Sequence, residues 1–158
     1  MADVVKDTDL GFNEILRQTE KFAQTSILIG FQEGSTTKTA VKGHREKEGG
    51  KSMPEIAFEN EFGTKKIPQR SFMRTSFDEN IVKIEKFIIN QYKKVQDGKI
   101  DSDQASGLIG VFMVNSIKRK IRAIKTPPNS PTTIKLKGSS KPLIDFGQMI
   151  QSVTYKVE

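Results

Sequence analysis

Apolar residues recur at helical spacing in three long stretches and at alternate positions in a shorter one. Over residues 8–24, Phe12, Ile15, Leu16, Thr19, Phe22 and Ala23 fall on one face of a helix, with Thr8 or Asp9 placed to cap it. Ser26 to Gln32 (SILIGFQ) is β-prone and reads as a buried strand. Met73, Phe77, Ile81, Ile84, Ile88, Tyr92 and Val95 are spaced 4, 4, 3, 4, 4 and 3, close to a heptad stripe, and predict a helix from Met73 to Gln96 that Phe87 and Ile89 widen. Asp97-Gly98 ends it. Asp101, with Gln104 three residues on, has the form of a capping box for a second helix reaching about Ile124. Leu108, Ile109, Phe112, Met113, Ile117, Ile121 and Ile124 form its apolar side, and Gly107 and Gly110 leave a flat patch for another element to approach. So short a connection predicts an antiparallel helix hairpin. Val153 to Val157 alternates with period two, as a strand does. The expected architecture is α+β, one domain over 1–158. The strand at about 26–32 and the strand at about 153–157 share a sheet, and the helices lie on one face.

The shorter elements carry local signals. Pro54 to Phe62 reads as a helix stopped by Gly63, with Ile56, Ala57 and Phe62 buried. In the next segment Pro68 disfavours helix at Ile67. Arg70 and Phe72 share a side of that extended chain, where Phe72 plugs the core or a neighbour and Arg70 is placed to pair with Glu59 or Glu61. Ser130-Pro131 is a helix start, with Lys135 and Lys137 in the last turn and Gly138 as the stop. Pro142 then opens a further helix, with Leu143, Ile144, Phe146, Ile150 and Val153 apolar and Asp145 in the first turn. Gly147 falls inside that helix, which predicts an element packed closely over it. Glu33 to Met53 is polar, glycine-rich and too long for a routine connection, so it is expected to be mobile or to form a loose hairpin that could add to the sheet.

Charge changes the picture more than composition does. The net charge is +7, and no Asp or Glu occurs from Gln104 through Ile144, a span holding Lys118, Arg119, Lys120, Arg122, Lys125, Lys135, Lys137 and Lys141. That is either a solvated basic face or a surface that meets a polyanion or an acidic partner. There is no cysteine and a single histidine, His44. His44-Arg45-Glu46-Lys47-Glu48 lacks the second histidine of a zinc-protease helix, and a nucleophile triad would have to use a loop histidine. No glycine-rich phosphate loop follows a strand. The carboxylate pairs Glu59/Glu61 and Asp78/Glu79 read as helix-surface charge. No enzyme, metal or cofactor is therefore expected. The start MADVVKDTD does not read as a signal peptide, and no run approaches the roughly 20 apolar residues of a membrane span.

Two blocks resemble one family. SPTTIKLKGSSKPLIDFGQMIQSVTYKV, from Ser130 to Val157, resembles the C-terminal signature of tailed-phage neck proteins, the tail-completion or head–tail joining family. IAFENEFGTKKIPQRSFMRTSFDEN, from Ile56 to Asn80, resembles the same family in the same order. This chain has Phe146 where the family commonly has threonine and Ser71 where it commonly has proline. The resemblance implies a structural virion protein without catalysis, present in the virion neck and in host cytoplasm during assembly. It implies a self-associating ring, a hexamer, that joins tail to head and meets a head-side connector and a tail terminator, with possible nonspecific contact to genomic DNA and no membrane. Segments 33–53 and 125–142 are the candidates for ordering against the next ring. Candidate partner-interface residues are Arg70, Phe72, Arg74, Lys118, Arg119, Arg122, Lys135, Lys137 and Asp145. The alternative is a sequence-nonspecific nucleic-acid-binding module. Against it, the basic stretch holds one aromatic residue, Phe112, and so offers no stacking platform.

Overall fold

The computed structural model describes residues 10–32, 51–144 and 147–158, with the backbone alone for Leu136 and Lys137. The element order is α1 (Phe12–Gln24), β1 (Ile27–Phe31), α2 (Met53–Phe62), α3 (Met73–Gln96), α4 (Ser102–Ala123), α5 (Pro131–Lys137), α6 (Gln148–Ser152) and β2 (Val153–Val157). This is an α+β arrangement. The strands pair antiparallel, Ile27 opposite Val157 and Phe31 opposite Val153, and Ser26 and Glu158 extend the ladder by exchanging backbone hydrogen bonds of 2.8 and 2.9 Å. A two-stranded ribbon is marginal in water, so its stability must come from what packs on it. Here that is α4, which lies against both strands, while α3 lies along α4 as the other arm of the hairpin. Phe87 and Phe112 stack across that hairpin with ring centroids 4.4 Å apart.

The close approach of sheet to helix depends on a missing side chain. A Cβ on Gly110 would stand 2.3 Å from Cδ2 of Tyr155 and 2.5 Å from its Cγ, so the Tyr155 ring lies flat over the glycine. Tyr155 Oη also passes over Gly107. The core proper gathers Met53 and Ala57 of α2, Phe72, Val114, Ile117 and Ile121 of α4, Leu143, and Met149, Ile150 and Val153 at the C-terminal end.

Several starts and stops follow the local rules. Asp101 and Gln104 form the expected capping box, Ser130 accepts from the Thr133 amide, and Gly63 and Gly138 close α2 and α5 at positive φ. The start of α2 is set one residue earlier than expected, by a capping box of Ser52 and Glu55.

Other expectations are corrected. α1 begins at Phe12 after Gly11 at φ 100°, and Thr8 and Asp9 lie outside the described residues. Gly147 is not inside a helix. It sits at φ 74° as the N-cap of α6, and Pro142 and Leu143 form a turn. An added Cβ there would meet only Nε2 of Gln151, at 3.7 Å, so backbone conformation and not crowding selects glycine. Phe62 is exposed, not buried. On α3 the buried positions are Ser76, Ile84, Gln91 and Val95, whereas Phe77 and Ile88 of the expected stripe reach the surface. Most of the 33–53 loop, with His44, falls outside the described residues, as do Asp145 and Phe146.

Candidate interaction surfaces

The end of α2 and the segment joining it to α3 hold two charged side chains that are buried but do not pair with each other. Glu61, on the last turn of α2, accepts hydrogen bonds from Oγ of Ser71 at 2.6 Å and from the amides of Phe72, Met73 and Arg74 at 2.7 to 3.1 Å. Those amides are the free donors at the start of α3, which has neither a side-chain cap of its own nor an acid in its first turn. Burial would raise the Glu61 carboxyl. The hydrogen bonds from Ser71 and the three amides outweigh it and hold the group below the usual carboxylate range.

Arg70 does not meet Glu59 or Glu61. Its Nε donates to the carbonyl of Pro127 at 2.7 Å, and one Nη donates to the carbonyl of Pro128 at 2.9 Å and to Oδ1 of Asn129 at 3.4 Å. The reason is chemical. Two consecutive prolines offer carbonyls and no amide, and a guanidinium is all donor in a fixed fork. Burial lowers the Arg70 pKa. Asn129 passes the link on through Nδ2 to the carbonyl of Lys141. The 125–142 segment, expected to be free for a neighbour, is therefore anchored to its own chain between Pro127 and Asn129.

These contacts decide where the nine candidate interface residues lie. Phe72 has no exposed surface and packs edge-on to Phe31 with centroids 6.0 Å apart, and Arg70 is 6 % exposed, so both build the body and present no face. Arg74 is exposed and lies 5.7 Å from the ring of Phe62. Phe62 in turn packs on Phe58 with centroids 4.7 Å apart, and both rings remain more than half exposed. Lys118 is half-buried, Arg119 and Arg122 are exposed on α4, and Lys135 is exposed on α5. Arg119 donates to Oγ of Ser116. Nothing is described for the Lys137 side chain or for Asp145. The acid-free stretch is also less isolated in space than in sequence, since Lys120 pairs with Glu79 of α3 at 2.6 Å.

A second surface has no counterpart in the sequence reading. Phe22 and Ala23 of α1, Ile27 and Ile29 of β1, Phe77, Ile84, Ile88, Ile89 and Tyr92 of α3, and Ile109 and Met113 of α4 line an open groove of about 530 Å³. Thr25 and Ser106 also line it, and its walls are mainly apolar. Among the described residues there is no cluster of three or more His, Asp or Glu side chains able to hold a metal ion, and no helix long and apolar enough to cross a membrane. No protein-family model, curated protein or solved structure matches this chain.

Proposed function

We propose that this protein is a structural subunit of a tailed-phage neck, a tail-completion component that forms a ring and joins tail to head. The observation that carries the reading is the pair of sequence blocks resembling that family. Support also comes from how the two blocks meet. The first supplies Glu61, Arg70 and Phe72. Arg70 clasps Pro127, Pro128 and Asn129 immediately before the second, and the second closes the sheet through Val153 to Val157. Residues of the two blocks thus contribute to the framework, as suits a part whose work is to hold shape. The exposed aromatic pair on α2 and the apolar groove supply the contact surface that an assembling subunit needs.

The test is genetic and structural together. A phage lacking this gene should accumulate filled heads and finished tails that do not join, and purified protein should restore joining in an extract. Absence of the protein from purified infectious particles would overturn the proposal.

A second reading, nonspecific nucleic-acid binding, keeps one observation in its favour: Arg119, Arg122, Lys125 and Lys135 are exposed within a stretch that contains no acid. Tight binding to duplex DNA that weakens steeply with salt would favour it.

A further inference from the structure

We infer that the cleft between the start of α3 and the end of α4 binds a phosphate group. The inference stands apart from the ring reading, since it needs only one chain. The cleft has a volume of about 480 Å³. Arg70 reaches it from the segment before α3, Arg74, Thr75 and Asp78 from α3, Lys120 from α4, and Thr126 from just beyond α4. Ile124 is the only apolar residue among the described residues that line it. Arg70 is 6 % exposed, and every partner of its side chain is neutral: Nε donates to the carbonyl of Pro127, and Nη2 to the carbonyl of Pro128 and to Asn129. None of the ion pairs among the described residues includes Arg70 or Arg74. A guanidinium so buried without a counter-charge is costly, and an anion would supply what its own chain does not. One nitrogen of the fork, Nη1, is left over. Among the described residues the only fully buried side-chain polar atom without a partner is Oγ of Ser102, so Nη1 is open to solvent, on the side where Arg70 lines the cleft.

The donors favour phosphate over carboxylate. Nη1 of Arg70, the guanidinium of Arg74 and the hydroxyls of Thr75 and Thr126 converge from different parts of the chain. A carboxylate has two oxygens to offer them, whereas a phosphate ester has three strong acceptor oxygens and more charge. Three cations stand on the wall against one acid, Asp78. Two further acids lie near it, and both are engaged. Glu79 holds Lys120 at 2.6 Å, and Glu61 accepts from Ser71 and the first amides of α3. Arg70 is also fixed beforehand. Its fork is tied at Nε and Nη2, and its amide donates to the carbonyl of Asn60 at 2.7 Å, so little freedom is lost when an anion arrives. The volume of the cleft leaves room for the group that carries the phosphate.

Inorganic phosphate is the probe, added to the full chain at constant ionic strength while the amide resonances are followed. The signals of Arg70, Thr75 and Thr126 should shift and saturate together. Arg74→Ala, at an exposed side chain, should weaken binding about tenfold, as the loss of one charge-assisted hydrogen bond implies. Asp78→Asn should tighten it a fewfold. Arg122→Ala, on α4 but outside the cleft, should leave it unchanged. A short DNA duplex then separates two sources of the phosphate. If it belongs to nucleic acid, Arg74→Ala weakens duplex binding by a similar factor. If it belongs to a small phosphate ester, duplex binding ignores that change while inorganic phosphate still responds to it. Either result upholds the site. Shifts that do not saturate, equal losses from Arg74→Ala and Arg122→Ala, or acetate binding as tightly as phosphate would overturn the inference.

Discussion

Glu61 shows how one side chain can serve two elements. It belongs to α2 but satisfies the first amides of α3, and its carboxylate is held in the charged form. A group whose pKa falls on folding stabilises fully above its unfolded value, about 4.3 for glutamate, and loses that contribution as pH drops through the lower folded value. Glu61→Gln should therefore be less stable than the natural protein by about 1–3 kcal/mol near pH 7. The two thermal melts should converge as the solution is taken below about pH 4, under that unfolded value. A gap that stays constant from neutral to acid would mean that the charge does not hold the cap. Arg70 makes the complementary case. Arg70→Lys keeps a positive charge but cannot reach Pro127, Pro128 and Asn129 with one fork, so it should lose about 1–3 kcal/mol in denaturant titrations. Stability equal to the natural protein would show that charge alone suffices. The sequence points to both residues but suggests the wrong pairing. Glu61 lies twelve positions before the amide of Met73, outside the reach of any local capping motif. The readable signal is negative: the first turn of α3 (Met73, Arg74, Thr75) holds neither a cap nor an acid.

Elements are legible where one turn of chain decides them and less so where distant chain does. The box at Asp101/Gln104 and the cap at Ser130 are contained within four residues, and the structure keeps them. The flat patch at Gly107 and Gly110 is also readable, although its occupant, Tyr155, is not, since Gly110 and Tyr155 lie 45 residues apart in the chain. Gly110→Ala should cost about 1–3 kcal/mol, because the new methyl meets the base of a ring that cannot swing aside. Truncating Tyr155 to alanine in the same chain should recover part of that cost in a double-mutant cycle, and strictly additive losses would show that the two do not touch. Pro142 has the look of a helix start, which would put Gly147 inside the helix. The residue instead turns the chain at positive φ, so Gly147→Val should destabilise by about 1–2 kcal/mol and Gly147→Asn by less, since asparagine tolerates that conformation. Equal losses from both would indicate crowding. The stripe on α3 reads wholly as core because period alone cannot tell a face covered by its own chain from one left open. Phe77 and Ile88 satisfy the same spacing as Ile84 and Val95 but are left exposed.

At the scale of the whole molecule, the basic excess can be separated from the fold. Lys120 is partly neutralised by Glu79, whereas Arg119 and Arg122 project from α4 with little to hold them. Reversing both to glutamate removes only the Arg119 bond to Ser116, and surface changes of this kind stay within about 0.5 kcal/mol, so the melting curve should barely move. Function should respond differently. If these side chains face an acidic neighbour in the neck, the double variant should fold, enter assembly reactions and join heads to tails poorly, and raising the salt should reproduce part of the defect in the natural protein. If they instead lie against the genome, the salt slope of DNA binding should fall by up to about 2, one for each phosphate that is no longer neutralised, while joining proceeds. Unchanged joining together with unchanged DNA affinity would reduce the face to a solubilising surface.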